Sequence, residues 1–328
     1  MTGAASTRPI YVTEVQFQSA WACVRQHVHH TPLLSSRQLS DETGLDVHLK
    51  AEMFQRTGSY KIRGALNKIR LLDDHARARG VICSSAGNHA QGVALAAAIN
   101  GVRSVVVMAR NATPSKVAAT RAYGAEVVLH GEIWDEANQE ATRLVAERGY
   151  TFLHPFDDLD LIAGQGTVGM EITQDLPDAD VVVVPIGGGG LISGIAQAVK
   201  VGNPSVRVIG VESSGGPAMR ESLRAGHLVT LADVQTRADG LRVRRVGELT
   251  FRIVRDYVDE VVLVSEDEIR DSIVWCLGRL KLLTEGAAAA TVAALRNGRI
   301  EAPKGSRVVC VLSGGNLDTE QFRELRIN

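Results

Sequence analysis

Val181-Val182-Val183-Val184-Pro185-Ile186-Gly187-Gly188-Gly189-Gly190-Leu191 is the stretch that decides the fold. Its first half is apolar at every position, which marks a strand buried on both faces, as in a parallel sheet. The glycines end the strand, and Leu191 to Val201 continue as a helix. Strand, glycine turn and helix make the front half of a βαβ unit. Four consecutive glycines exceed what a turn requires. Lacking Cβ atoms, they reach positive φ and let backbone approach a ligand closely. Several N–H groups then converge, and the start of the following helix adds positive potential. A phosphate is the expected occupant.

The same alternation runs outward in both directions. Strands are expected at 81–84, 104–108 and 127–129, with helices at 90–100, 115–123 and 134–148 between and after them. A second series opens near Thr151 and carries strands at 181–185, 206–211, 261–264 and 308–312. Its helices are expected at 191–201, 266–283 and 287–297, with an irregular stretch from Gly240 to Glu248. Thr13 followed by Gln16 resembles a capping box and opens an N-terminal helix. The fold class is α/β, with parallel-rich twisted sheets flanked by helices. A smaller, mobile βαβ domain is expected over 70–152, and a larger domain over 1–69 and 153–328. The twelve residues from Leu317 to Asn328 are too few for an appended regulatory domain.

Which phosphate the loop takes is open at this point. Glu212 ends the strand after the glycine-loop helix, where a dinucleotide site holds its ribose-binding acid. The glycine spacing disagrees, because Ile192 or Ser193 falls at the third glycine position of either register. No Gly-Lys-Ser/Thr follows, which excludes a Walker loop.

Lys61 breaks the tie. It lies in Thr57-Gly58-Ser59-Tyr60-Lys61-Ile62-Arg63-Gly64-Ala65, with Gly58 and Gly64 expected to bracket a turn. A partly buried amine is favoured in its neutral, nucleophilic form. Two further loops, Ser84-Ser85-Ala86-Gly87-Asn88-His89 and Ser313-Gly314-Gly315-Asn316, follow apolar strands and bring neutral polar groups. An amine able to form an imine, a phosphate cradle and neutral hydrogen-bonding groups describe a pyridoxal-phosphate site.

These motifs resemble those of the fold-type II (tryptophan synthase β-like) pyridoxal-phosphate enzymes, and among them the threonine/serine dehydratases, including the serine racemase-like branch. Thr31-Pro32-Leu33, Gly58 to Ala65, Ser85 to Gly92, His154-Pro155-Phe156-Asp157-Asp158, Gly164 to Thr167, Gly187 to Gly190, Ala238-Asp239-Gly240 and Ser313 to Asn316 match in family order. The resemblance implies that Lys61 carries the cofactor and serves as catalytic base. It implies that Asn88 meets the phenolic oxygen, that Gly187, Gly188, Gly189, Gly190 and Leu191 hold the phosphate, that Gly240 passes close by and that Ser313 faces the ring nitrogen. Ser85, Ala86, Asn88 and His89 would receive the substrate carboxylate. A cation site, divalent or monovalent, would use Glu212 and the carbonyl of Gly216, although Ala218 replaces the family's second acid. Glu285 lies in a family-like segment without an assigned role.

The implied reaction is β-elimination from a β-hydroxy L-amino acid, threonine or serine, giving 2-oxobutanoate or pyruvate and ammonia. Hydroxyaspartate, phenylserine or a hydroxyectoine-pathway intermediate are alternative substrates, and a nicotinamide oxidoreductase is the remote rival. Racemising relatives carry a serine where this chain has Ala86, which argues for a dehydratase. Tyr60 stands where phenylalanine is commoner.

Composition adds bounds. A formal net charge of −1 over 328 residues gives no sign of nucleic-acid partners. No apolar run approaches a membrane span. Cys23, Cys83, Cys276 and Cys310 show no metal-ligand spacing, and His27, His29 and His30 suit no zinc motif. A reduced, cytoplasmic setting, a short disordered lead-in over residues 1–9 and a homo-oligomer are expected.

Overall fold

The computed structural model describes residues 8–325, so most of the expected lead-in lies outside the described residues. Two sheets organise the chain. The larger has the order β1 (Leu33–Ser35), β2 (Asp46–Ala51), β10 (Arg307–Leu312), β7 (Val181–Pro185), β8 (Arg207–Ser213) and β9 (Glu260–Val264). Only β1 runs antiparallel to its neighbour. The smaller sheet, ordered β5 (Glu126–Leu129), β4 (Ser104–Met108), β3 (Val81–Ser84) and β6 (Thr151–Phe152), is parallel throughout.

Every residue of β3, β4 and β7 is buried, which explains why these strands are valine-rich without alternation. One face of the large sheet packs Val182 and Val184 against Ile192 and Ile195. The other packs Val181 and Val183 against Ala289 and Val292 of the helix Gly286–Arg296. Cys83 and Cys310 are buried free thiols in these strands, as expected. Among the described residues, no helix is long and apolar enough to cross a membrane.

Four expectations change. Lys61 does not sit in an open turn: it begins the helix Lys61–Arg70, and Gly64 lies within it. Gly64 is needed for packing, since a Cβ there would lie 2.8 Å from Cγ of Leu161 on the helix Leu159–Asp175. Thr151 and Phe152 do not open the second series but complete the small sheet beside β3. The stretch 240–248 ends in an unanticipated helix, Glu248–Tyr257. The expected helix 266–283 stops at Trp275 and widens into a π turn over Cys276–Leu280. It closes on Lys281 at φ 61, the one non-glycine residue with positive φ among those described. That break turns the chain so that the Glu285 N–H reaches the Gly314 carbonyl at 3.1 Å. The Thr13 capping box is present on the helix Glu14–Val24.

Candidate active site

In a parallel sheet all carboxyl ends share one edge, and ligand sites form there. Strand β7 ends in the glycine loop, β10 in Ser313 and β3 in the Ser85–His89 loop. The loop carrying Lys61 is stitched to the end of β10. Tyr60 N–H donates to the Ser313 carbonyl at 3.2 Å, and Gly315 N–H to the Gly58 carbonyl at 2.9 Å. Asn316 Nδ2 donates to the Thr57 carbonyl at 2.8 Å and to Asn88 Oδ1 at 2.7 Å. The Lys61 segment, the Ser313 loop and the start of the helix Asn88–Ile99 therefore share one hydrogen-bonded frame.

Lys61 Nζ donates to the Pro155 carbonyl at 2.8 Å and lies 5.3 Å from the Tyr60 ring centroid. Burial lowers its pKa to about 8, against the opposing pull of the Glu285 carboxylate. The next residue, Phe156, lies directly against the glycine loop. A Cβ on Gly188 would lie 2.1 Å from its ring, an overlap, and one on Gly190 would sit 2.9 Å from its carbonyl oxygen. Lys61 thus reaches the chain segment that floors the loop.

The loop itself has the anatomy of an anion cradle. Gly189 is the N-cap of the helix Gly190–Gly202 at φ 93, a left-handed conformation that L side chains avoid. No backbone hydrogen bond among the described residues engages the N–H groups of Gly188, Gly189 or Gly190. Leu191 is buried in the first turn. The Gly240 carbonyl lies so close to Gly187 that any side chain there would overlap it.

Asn88 Nδ2 donates to both Glu285 oxygens, at 2.8 and 3.0 Å. Burial raises the Glu285 pKa, and the Asn88 contact opposes that rise. Sequence reasoning left this acid without a role. Its only signal was an acid immediately before the small-residue helix that begins at Gly286. Ser313 is buried beside the lysine loop. Ser85 Oγ accepts from the Gly87 N–H at 3.2 Å, and Ala86 packs with the small-sheet core.

His89 and the expected cation ligands are engaged elsewhere. The His89 ring is buried, with Nε2 at 3.0 Å from the Leu153 carbonyl, and burial lowers its pKa to about 3. It is a neutral ring turned into the protein, so only its backbone N–H is left for an anion. Glu212 places its oxygens 2.8 Å from the N–H groups of Met219 and Arg220, at the start of the helix Ala218–Ala225. Burial pushes its pKa up to about 7. The Gly216 carbonyl accepts from Ala218 N–H at 2.9 Å. Among the described residues, no three His, Cys, Asp or Glu side chains gather as a metal would require. His30 pairs instead with Asp175 at 2.9 Å.

Residues 24–314 match the model of a family described as pyridoxal-phosphate dependent enzyme. The chain belongs to this family. Among its relatives is an L-threonine ammonia-lyase of Thermotoga maritima, 50% identical over 311 residues, covering 95% of this chain and 77% of that one. The catabolic L-threonine dehydratase TdcB of Escherichia coli is 46% identical over 299 residues, covering 91% of each chain. Among solved structures, maize serine racemase superposes with a TM-score of 0.91 at 36% identity, covering 96% of this chain and 97% of that one. The processed form of threonine deaminase isoform 2 from Solanum lycopersicum gives a TM-score of 0.89 at 36% identity, covering 97% of this chain and 95% of that one.

Pyridoxal phosphate fits what is present. The glycine loop offers unengaged N–H groups where side chains would collide, and Lys61 offers an amine of lowered pKa. The groups between them are hydroxyls and amides, with one acid whose charge burial disfavours.

Proposed function

We propose that this protein is an ammonia-lyase for β-hydroxy L-amino acids, acting on L-threonine foremost and on L-serine. The products are 2-oxobutanoate or pyruvate, and ammonia. Lys61 carries the reading: a desolvated amine with a pKa near neutrality, hydrogen-bonded one residue from the floor of a phosphate cradle. The threonine-lyase names of relatives such as those from Thermotoga maritima and Escherichia coli support the substrate.

Pyridoxal phosphate, when bound, supplies an electron sink for the pair left at the substrate Cα. Gly187 to Leu191 would hold its phosphate through their N–H groups, Asn88 and Ser313 would address its ring, and Gly240 would wall the site. A neutral hydroxyl such as that of Ser313 would not hold the ring nitrogen protonated, which would favour expulsion of a Cβ leaving group. Lys61 takes the Cα proton as general base, and the Pro155 carbonyl holds the resulting ammonium in place. The substrate carboxylate meets N–H groups from Ser85 to His89 at the helix start. The β-hydroxyl leaves as water with one proton, matching the one that Lys61 takes from Cα, so elimination is the net loss of water. The enamine released then takes up water and hydrolyses to the oxo acid and ammonia.

Residues 70–152 act in this reading as a unit that closes on the rest of the chain. Support comes from contacts across the cleft: Asn88 to Glu285, and Lys116 Nζ to Asp239 and Asp318 at 3.0 and 3.4 Å. The four free thiols support a reducing, cytoplasmic setting. The likeness to a serine racemase raises a second reading, but Ala86 brings neither acid nor base to the site.

The test is a panel assay of the purified holoenzyme for oxo acid, ammonia and product chirality. L-threonine, L-serine, 3-hydroxyaspartate and phenylserine are the substrates. Oxo acid forming fastest from threonine is the expected result. Turnover confined to another member reassigns the substrate, and D-serine without oxo acid refutes the lyase reading.

A further inference from the structure

The glycine loop poses a problem of its own. A peptide between two glycines rotates with little steric resistance, so nothing inside Gly188-Gly189 fixes which way its N–H points. An anion cradle requires that orientation to be set beforehand, because ordering it on binding costs affinity.

Thr250 supplies the missing constraint. It is fully buried in the first turn of the helix Glu248–Tyr257. Its hydroxyl donates to the Gly188 carbonyl at 2.7 Å and lies 3.2 Å from the Gly247 carbonyl. The described chain has no cis peptide bonds, so the Gly189 N–H points opposite the Gly188 carbonyl. Holding the carbonyl against the helix therefore turns the N–H to the other face. Thr250 also blocks the loop sterically, since a Cβ on Gly189 would lie 2.8 Å from its own Cβ.

Thr250 is itself held by Asp157. One Asp157 oxygen accepts from the N–H groups of Leu249 and Thr250 at 3.0 Å each, and the other from Glu248 N–H at 3.1 Å. This carboxylate occupies the start of that helix, a placement both charge and hydrogen bonding favour. Asp157 stands two residues after Pro155, whose carbonyl holds Lys61, and follows Phe156, whose ring meets Gly188. One short segment thereby sets both the amine and, through Thr250, the loop.

We propose that Thr250, held by Asp157, is a positioning residue for phosphate binding: it fixes the Gly188–Gly189 peptide so that the Gly189 N–H faces the anion. The proposal rests on the reading that Gly187 to Leu191 hold the cofactor phosphate. Nothing in it requires Thr250 to touch the cofactor.

The test compares the affinity of the apo-protein for pyridoxal phosphate and for pyridoxal, which lacks the phosphate, by reconstitution titration. Thr250→Val keeps the shape and removes the hydroxyl. It is expected to weaken pyridoxal phosphate about tenfold, the scale of one hydrogen bond, while leaving pyridoxal unchanged. Thr250→Ser restores the hydroxyl and is expected to restore the preference, which keeps the proposal testable should the valine variant fold poorly. An unaltered preference in Thr250→Val, equal losses for both ligands, or a serine variant as weak as the valine one overturns the proposal. Wild-type protein binding both ligands equally would instead sink the phosphate-loop reading.

Discussion

Lys61 and Arg63 stand two residues apart on one helix, and burial does opposite things to them. Arg63 is fully buried, with Glu52 and Glu171 each gripping the guanidinium through two contacts between 2.7 and 3.0 Å. Lys50, also fully buried, reaches Glu171 at 2.8 Å. Lys50 also meets Asp175 at 3.2 Å, so two cations face three carboxylates beneath the helix, and against desolvation Glu52 and Glu171 drive the Arg63 pKa upward. Lys61 has a carbonyl for a partner and feels Glu285 only from a distance, so desolvation prevails and its pKa falls. Burial alone does not decide the charge of a group. The number of counter-charges in hydrogen-bonding contact does. Within one turn of the helix, one residue keeps an ion as an anchor while the other keeps an amine ready to lose its proton.

The largest expected effect breaks the chemical side of this contrast. In the proposed mechanism Lys61→Ala removes the base and the point of cofactor attachment, and turnover is expected to fall about a thousandfold or more. The visible band of the bound cofactor disappears with it, while circular dichroism shows an unchanged fold. Loss of folding instead would mean that Lys61 is structural.

Arg63→Met attacks the anchored side. It strands Glu52 and Glu171 in the interior, at a cost of about 3–5 kcal/mol, read as a lower denaturant midpoint with unchanged slope. A variant as stable as wild type would show that the cluster is not the anchor described.

Glu285→Gln sharpens the comparison with a smaller shift. The Glu285 carboxylate favours the Lys61 ammonium, so its removal lowers the Lys61 pKa further. Capture of pyridoxal phosphate by the apo-protein requires the neutral amine, and in wild type its rate rises with pH through about 8. In Glu285→Gln that rise moves to lower pH. A move to higher pH, or none, would remove Glu285 from the electrostatics of the lysine.

The difference between a local signal and a tertiary one also explains what the sequence discloses. Strands β3, β4 and β7 are legible to the residue, because short apolar runs bounded by turn signals favour strands buried on both faces. The glycine loop is legible as the turn from β7 into the helix Gly190–Gly202. Gly64 misled because glycine usually signals a turn, whereas here it admits Leu161 and Gln165 of a neighbouring helix. The helix Glu248–Tyr257 escaped notice because its cap, Asp157, is supplied from 91 residues earlier in the chain. Local sequence carries no trace of a cap brought from so far away. The direction of the His89 ring, toward the Leu153 carbonyl, is set by tertiary packing and is not legible in the sequence. Pro155 lies in the matching segment His154 to Asp158, but it acts through a backbone oxygen that residue identity does not disclose, and Thr250 acts through a hydroxyl in a helix outside any motif.

The placement of β10 carries a consequence for how the chain comes together. It lies between β2 and β7, in register with both, although it follows both of them along the chain. The small sheet is complete by Phe152 and is able to form while later segments are still emerging from the ribosome. The large sheet has no such freedom: until Arg307–Leu312 arrive, the strand before Lys61 and the strand before the glycines have no common neighbour. The joining of these two parts therefore waits for β10, and a nascent chain short of it holds reactive parts that have yet to meet.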